Sequence, residues 1–372
     1  MNLSPDELVR YQRHLALAGF GPAAQEKLKC GSVLVIGAGG LSCPALLYLA
    51  AAGVGRIVIV DADRVDVSNL QRQVLYTTAD TGELKAVAAA RRLSALNPLI
   101  AVEPHAERFT RDNALVLVRS VDVVLDGSDN FATRYLVNDA CVLANRPLVY
   151  GAIQGFEGQA SVFNWRGGPT YRCLFPEPPA PGTVPNCAEG GVLGVLPGLI
   201  GTVQAAEAIK LLTGVGEPLA GRLLLWDALT MTTHTVRLAA DPRSRDIREL
   251  PPAGYGEICT VPVASSATVS PDESEVSALR AAIAAGQRVQ LIDVREDWER
   301  ALGAINPSTH APLGEITRGT AAFSDLDPAV ETVVYCAVGV RSLHALTALR
   351  TRYGFRAVTS LRGGYKAWVA SE

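Results

Sequence analysis

A glycine-rich turn, Gly37-Ala38-Gly39-Gly40-Leu41-Ser42, follows the apolar run Val33-Leu34-Val35-Ile36. Glycines at such a point let backbone approach a ligand closely and leave N–H groups near a helix N-terminus, where an anion is favoured. Asp61 closes a second apolar run about 20 residues on, the spacing at which an acid reaches a ribose hydroxyl. Strand, turn, helix, strand and acid make a nucleotide-binding half-fold, without naming the nucleotide. Arg72 and Lys85 add two cations suited to phosphates and to the charge on a departing pyrophosphate. Asn69 lies in the polar stretch between them and the acid. Asp129 and Asn130 follow another apolar run, and a carboxylate there suits Mg²⁺, a hard cation. The set fits a triphosphate with Mg²⁺ better than a nicotinamide. No Lys-Ser or Lys-Thr pair follows the glycines, so this is not a P-loop.

A second constellation is Val333-Val334-Tyr335-Cys336-Ala337-Val338-Gly339-Val340-Arg341-Ser342. A β-branched strand ends at Cys336, and a short loop leads into a helix starting near Arg341. That geometry rings a sulfur with backbone N–H groups at a helix N-terminus, which stabilises thiolate, and Arg341 adds positive charge.

These groups need elements to hold them. The chain has 372 residues, 48% apolar and 19% charged, with net charge −3. That length predicts two domains, and that charge gives no electrostatic reason for nucleic acid or an anionic membrane. No apolar run has the length of a membrane span, and the N-terminus lacks the basic-then-apolar order of a secretory signal, so a cytoplasmic location is the expectation. Seven scattered cysteines argue against a disulfide framework. Alternating strand and helix patterns up to about residue 150 predict a mainly parallel, doubly wound α/β sheet. Antiparallel strands follow, with a Pro- and Gly-rich loop at 175–191 and an apolar helix at 194–212. Few periodic apolar positions occur between 241 and 274, which reads as a linker. Residues 275–372 read as a second, smaller α/β unit. Near the N-terminus, Ser4-Pro5-Asp6-Glu7 has a helix-start composition, and Arg13 on that helix reads as a solvated charge.

Beyond these patterns, Gly37–Ser42, Ser68-Asn69-Leu70-Gln71-Arg72-Gln73, Ser128-Asp129-Asn130, Gly158-Gln159 and the run from Asn186 to Gly194 resemble the E1-like adenylyltransferases. These activate ubiquitin-like sulfur carriers in molybdopterin, thiamin and tRNA-thiolation pathways. The likeness covers roughly Leu8 to Leu238. It implies a Rossmann-like domain over residues 1–240 in which a carrier's C-terminal Gly-Gly carboxylate attacks the α-phosphate of ATP. By the same resemblance Gly39, Gly40 and Asp61 bind ATP, Ser68, Asn69, Arg72 and Lys85 line its phosphates, and Asp129, beside Asn130, holds Mg²⁺. Arg13 corresponds to an arginine that reaches into a partner's site, which implies a homodimer. Cys187 matches a loop cysteine that forms a carrier thioester or resolves an acyl-disulfide. Many relatives have two Cys-x-x-Cys pairs for zinc. Here the first reads Thr170-Tyr171-Arg172-Cys173 and the region 241–247 has no Cys, so no structural zinc is expected and Cys173 reads as a plain buried thiol. Position 42, a family glycine, is Ser.

The loop from Cys336, with Leu291-Ile292-Asp293-Val294-Arg295-Glu296, resembles rhodaneses over roughly 275–372. This implies a persulfide on Cys336, held by a loop that includes Gly339, Arg341 and Ser342. The donor is thiosulfate or a cysteine desulfurase. Joined, the two likenesses imply adenylation of a carrier followed by sulfur transfer to give a thiocarboxylate. Two alternatives are a carrier-binding scaffold with an inert rhodanese domain and, less favoured, an NAD-dependent oxidoreductase.

Overall fold

The computed structural model describes residues 2–178, 191–251, 255 and 271–371. The chain divides into two compact units, Met1–Val263 and Ala264–Glu372.

The first unit is built on an eight-stranded sheet. Its strands are β1 (Ser32–Ile36), β2 (Arg56–Val60), β3 (Ala101–His105), β4 (Val123–Asp126), β5 (Leu148–Gln154), β6 (Glu157–Phe163), β7 (Arg222–Asp227) and β8 (Thr232–Arg237). They lie in the order β3-β2-β1-β4-β5-β6-β7-β8, parallel through β5 and antiparallel from β6 onward. Strands buried on both faces need continuous apolar runs, and β1 and β2 show why. Val33, Val35, Ile57 and Ile59 point into one core, while Leu34, Ile36, Val58 and Val60 point into the other. The antiparallel extension ends at β8, all of whose residues are exposed.

Strand order reverses at β1, which lies between β2 on one side and β4 on the other. Ligands bind outside the carboxyl ends of strands at such a switch point. Gly37 follows β1 and Gly127 follows β4, so both turns meet there. The helix Ser42–Ala52 packs on the helix Leu196–Thr213, whose Gln204 donates to the Asp126 carbonyl at 2.7 Å.

Two helices, Gly21–Cys30 and Arg111–Arg119, have no counterpart in the sequence reading. The second carries β-branched valines, and its start is fixed by a reciprocal cap between Thr110 and Asn113. The stretch read as a linker from Asp241 also differs. Pro242–Arg245 forms a 3₁₀ turn, Arg245 donates to Asn164 and Gly168, and Leu250 and Tyr255 are buried in the core with Tyr135 and Tyr171. A few widely spaced anchors do this, and they leave no period to read.

The second unit holds β9 (Glu273–Ser274), β10 (Gln290–Asp293), β11 (Thr309–His310), β12 (Thr332–Tyr335) and β13 (Val358–Leu361). These form one parallel sheet in the order β11-β10-β12-β13-β9. Apolar residues alternate between its faces, with Ile292 and Val334 on one and Leu291 and Val333 on the other. Cys336 stands directly after β12.

Candidate functional site

At the switch point of the first sheet lies a pocket of 860 Å³. Gly39, Gly40, Asp61, Arg72, Lys85, Asp129 and Asn130 all line it. The turn is braced from below. Gly37 has φ +80°, which glycine adopts without strain. Tyr76 donates its hydroxyl to the Ala38 carbonyl at 2.8 Å. Asp61 accepts from the Ala38 N–H through one carboxylate oxygen and from the Asp63 N–H through the other, each at 2.7 Å. Each oxygen keeps a lone pair for a hydroxyl donor. Burial raises the Asp61 carboxyl above its ordinary value, against the pull of those two bonds.

Lys85 opens the helix Lys85–Leu96 with its side chain 7% exposed, and it pairs with Asp63 at 3.2 Å. Arg72 is held from behind by the Ser68 carbonyl at 3.2 Å. Ser68 and Asn69 themselves fall outside the pocket lining; Ser68 bonds Asp66, and Asn69 reaches Ser68. Asn130 caps the helix Phe131–Ala144 by accepting from the Thr133 N–H, and Asp129 stands exposed beside it on the wall. Arg13 is exposed on the helix Gln12–Leu15, away from the pocket of its own chain. Ser42 is buried against Gly127, where any added Cβ would strike its hydroxyl. Cys187 lies outside the described residues.

Three pocket residues carried no signal that singled them out in sequence. Arg134 donates to the Ser128 carbonyl at 3.3 Å, its guanidinium within 6 Å of the Phe131 and Tyr150 ring centres. Phe109 and Tyr255 supply an aromatic flank. Tyr255 donates its hydroxyl to buried Asp139, which also takes two 2.8 Å bonds from Arg172. Only the third dimension brings residue 255 to this wall.

The donor set suits a nucleoside triphosphate. Backbone N–H groups, Arg72 and Lys85 offer anion contacts, and one carboxylate with phosphate oxygens suffices for Mg²⁺, which keeps several waters. Among the described residues no three His, Cys, Asp or Glu side chains form a metal cluster. Cys173 is half-buried rather than plainly buried. Its sulfur accepts from the Thr170 and Asp241 N–H groups at 3.3 Å each and lies 3.2 Å from the Ser244 hydroxyl. Burial alone would raise its thiol, but these bonds bring it below the ordinary value.

In the second unit the Cys336 sulfur accepts from the Gly339 N–H at 3.1 Å and lies 3.6 Å from the Ser342 hydroxyl. Tyr365 and Lys366 donate backbone N–H groups to the Cys336 and Ala337 carbonyls at 2.8 and 3.0 Å. Gly364, at φ +58°, presses on the Cys336 carbonyl with no room for a Cβ. Arg341 acts on Cys336 electrostatically from within an ion pair. It grips Glu299 through bonds of 2.7 and 2.6 Å. Asp293 and Arg295, from the other motif, form a buried pair that fastens the end of β10 to the Gly303 carbonyl.

The ThiF family model matches residues 11–246, and the rhodanese-like domain model matches residues 275–371. The chain is 47% identical to a probable adenylyltransferase/sulfurtransferase MoeZ of Mycobacterium tuberculosis, over 99% of this chain and 94% of that one. It is 56% identical to a sulfur carrier protein adenylyltransferase of Thermus thermophilus, over 65% of this chain and 92% of that one. It is 40% identical to the adenylyltransferase and sulfurtransferase MOCS3-1 of Zea mays, over 99% and 82%. Among solved structures, the E. coli MccB complex with MccA-N7isoASN shares the fold, with TM-score 0.57 and 24% identity over 65% of this chain and 74% of that one. With both family models matched and the glycine turn, Asp61, Arg72, Lys85 and Asp129 gathered at one switch point, the chain belongs to the ThiF family and carries a rhodanese-like domain over residues 275–371.

Proposed function

We propose that this chain adenylates the C-terminal Gly-Gly carboxylate of a ubiquitin-like sulfur carrier and then passes sulfur from Cys336 to give a carrier thiocarboxylate. The observation that carries the reading is the convergence of Arg72, Lys85 and Asp129 around the glycine turn, in a chain that also holds a sulfur in a backbone-lined loop. The names of the full-length relatives, adenylyltransferase and sulfurtransferase, support it.

In this reading Asp61 takes the ribose and the turn at Gly39 and Gly40 lies along the phosphates. Arg72 and Lys85 neutralise the charge that grows on the departing pyrophosphate. Asp129, with Asn130 beside it, holds Mg²⁺, which supplies Lewis-acid polarisation of the phosphate oxygens. Asn69 and Ser68 act by holding Arg72. Attack by the outer sulfur of a Cys336 persulfide on the acyl-adenylate displaces AMP and leaves an acyl disulfide on Cys336; a second thiol attacks the Cys336 sulfur, the carrier thiocarboxylate leaves with the electron pair, and a thiol reductant opens the disulfide that remains. Joining both activities in one chain raises the effective concentration of each intermediate near the other. Arg13 serves a second copy in a homodimer, Cys187 handles the carrier tail, no structural zinc is needed, and the enzyme works in the cytoplasm. No described helix is long and apolar enough to cross a membrane. The sulfur comes from thiosulfate or a desulfurase persulfide.

The test is ATP–pyrophosphate exchange with Gly-Gly-ended carriers. Carrier-dependent exchange is expected; a lack of exchange with every cognate carrier sinks the reading.

A further inference from the structure

Resting on the adenylation reading, we infer that Tyr76 is a positioning residue for that reaction: its hydroxyl aims the Gly39 N–H and fixes the glycine turn against the start of the Lys85 helix. Tyr76 is 5% exposed and lies outside the pocket lining. Its hydroxyl donates to the Ala38 carbonyl at 2.8 Å and reaches the Lys85 carbonyl at 3.3 Å. A buried tyrosine hydroxyl needs a partner, and any carbonyl meets that need. Here both acceptors belong to elements that face the phosphates in the adenylation reading.

Peptide planarity gives the first contact its consequence. The Ala38 carbonyl and the Gly39 N–H share one trans peptide and point in opposite directions. Holding the carbonyl on Tyr76 turns the N–H towards the pocket that Gly39 lines. Neighbouring groups of the turn are held too. Asp61 takes the Ala38 N–H at 2.7 Å, and the Gly39 carbonyl takes the Cys43 N–H at 2.9 Å. The Cys43 thiol, a weak donor 3.7 Å from the Ala38 carbonyl, is a poor substitute for the phenol.

The second contact sets a distance. Lys85 heads the helix Lys85–Leu96, so its carbonyl marks where the lysine side chain starts. Asp80 holds the same helix further along. It is 1% exposed, accepts from the Thr77 N–H at 2.7 Å, and takes Arg91 at 2.7 Å and Arg92 at 2.9 Å from the helix. Tyr76 is joined to the Arg72 segment through the Gln73 carbonyl, which accepts the Tyr76 N–H at 3.1 Å. The glycine turn, Arg72 and Lys85 are thus tied to one phenol. Burial pushes that phenol well above its ordinary value, so it keeps its proton and stays a donor.

The experiment compares three variants of the full chain with wild type in carrier-dependent ATP–pyrophosphate exchange. Tyr76→Phe removes the hydroxyl, and Asp80→Asn weakens the hold on the helix. Tyr11→Phe removes another buried hydroxyl of the first unit, one that accepts from Asn97 at 2.9 Å and lies outside the pocket lining. Tyr76→Phe should lower kcat by ~10-fold or more and keep the KM for ATP within ~3-fold, because a misaimed donor fails mainly against the charge that develops on the pyrophosphate. Asp80→Asn should give the same split, with kcat lower by ~3-fold. Tyr11→Phe should leave both constants within ~2-fold, while urea unfolding shows a loss of stability like that of Tyr76→Phe. Wild-type kcat in Tyr76→Phe, a rise in its KM alone, or an equal loss of kcat in Tyr11→Phe overturns the inference and leaves the adenylation reading standing. Should Tyr76→Phe fail to fold, wild-type kcat in Asp80→Asn overturns the inference in its place. No exchange by the wild type with any cognate carrier overturns the adenylation reading and the inference with it.

Discussion

Tyr255 donates its hydroxyl to Asp139, a carboxylate 2% exposed that also pairs with Arg172. The bond fastens a residue from beyond β8 to the helix Phe131–Ala144, and the Tyr255 ring flanks the nucleotide pocket. Tyr255→Phe should lower first-unit stability by about 1 kcal/mol, the worth of one hydrogen bond, since Arg172 still partners the acid. Tyr255→Ala also removes pocket wall, and should raise the KM for ATP more than it lowers kcat. Urea unfolding and pyrophosphate exchange read the two effects separately.

Arg72 and Lys85 face the pocket from different elements. Replacing either with Ala should lower pyrophosphate exchange by ~100-fold or more, the usual cost of losing one preorganised contact to developing charge. Sulfur loading of Cys336 should be untouched. Parallel loss of both activities would point to misfolding instead.

Cys336→Ser should abolish thiocarboxylate formation while leaving carrier adenylation within about twofold, because group transfer needs the sulfur nucleophile. Mass spectrometry of the carrier decides. Unchanged thiocarboxylate yield would favour the scaffold alternative for that half.

The second unit should weaken in acid. Burial would raise the carboxyls of Asp293 and Glu299, but their arginine partners hold both below their ordinary values of 3.8 and 4.5. A folded-state pKa below the unfolded one gives stability that is complete above the unfolded value and fades as pH falls through the folded one. Thermal melting of this unit should therefore drop as pH falls from about 5 towards 3. Glu299→Gln should flatten that dependence.

Most of the first unit's architecture was legible because strands buried on both faces must be apolar throughout, and β1 and β2 are. The glycine turn, Asp61, Arg72, Lys85 and Asp129 were legible because each residue type carries its chemistry openly. Glu299 was not. It reads as one more charge on a short surface helix until β12 brings Arg341 to it. Tyr255 and Arg134 share that limit, since each gains its role from partners distant in the chain or from stacking. Ser68 and Asn69 lie outside the pocket lining, and the Ser68 carbonyl holds the Arg72 guanidinium.

The Cys336 loop takes its shape from main-chain bonds to Tyr365 and Lys366, from the Gly339 amide, and from Gly364 at its back. The side chains of Ala337 and Val338 take no part in those bonds. Contour and electric potential are therefore independent variables in this active centre. Exchanging the side chains of Ala337 and Val338 would change the charge at the loop and leave those main-chain bonds standing.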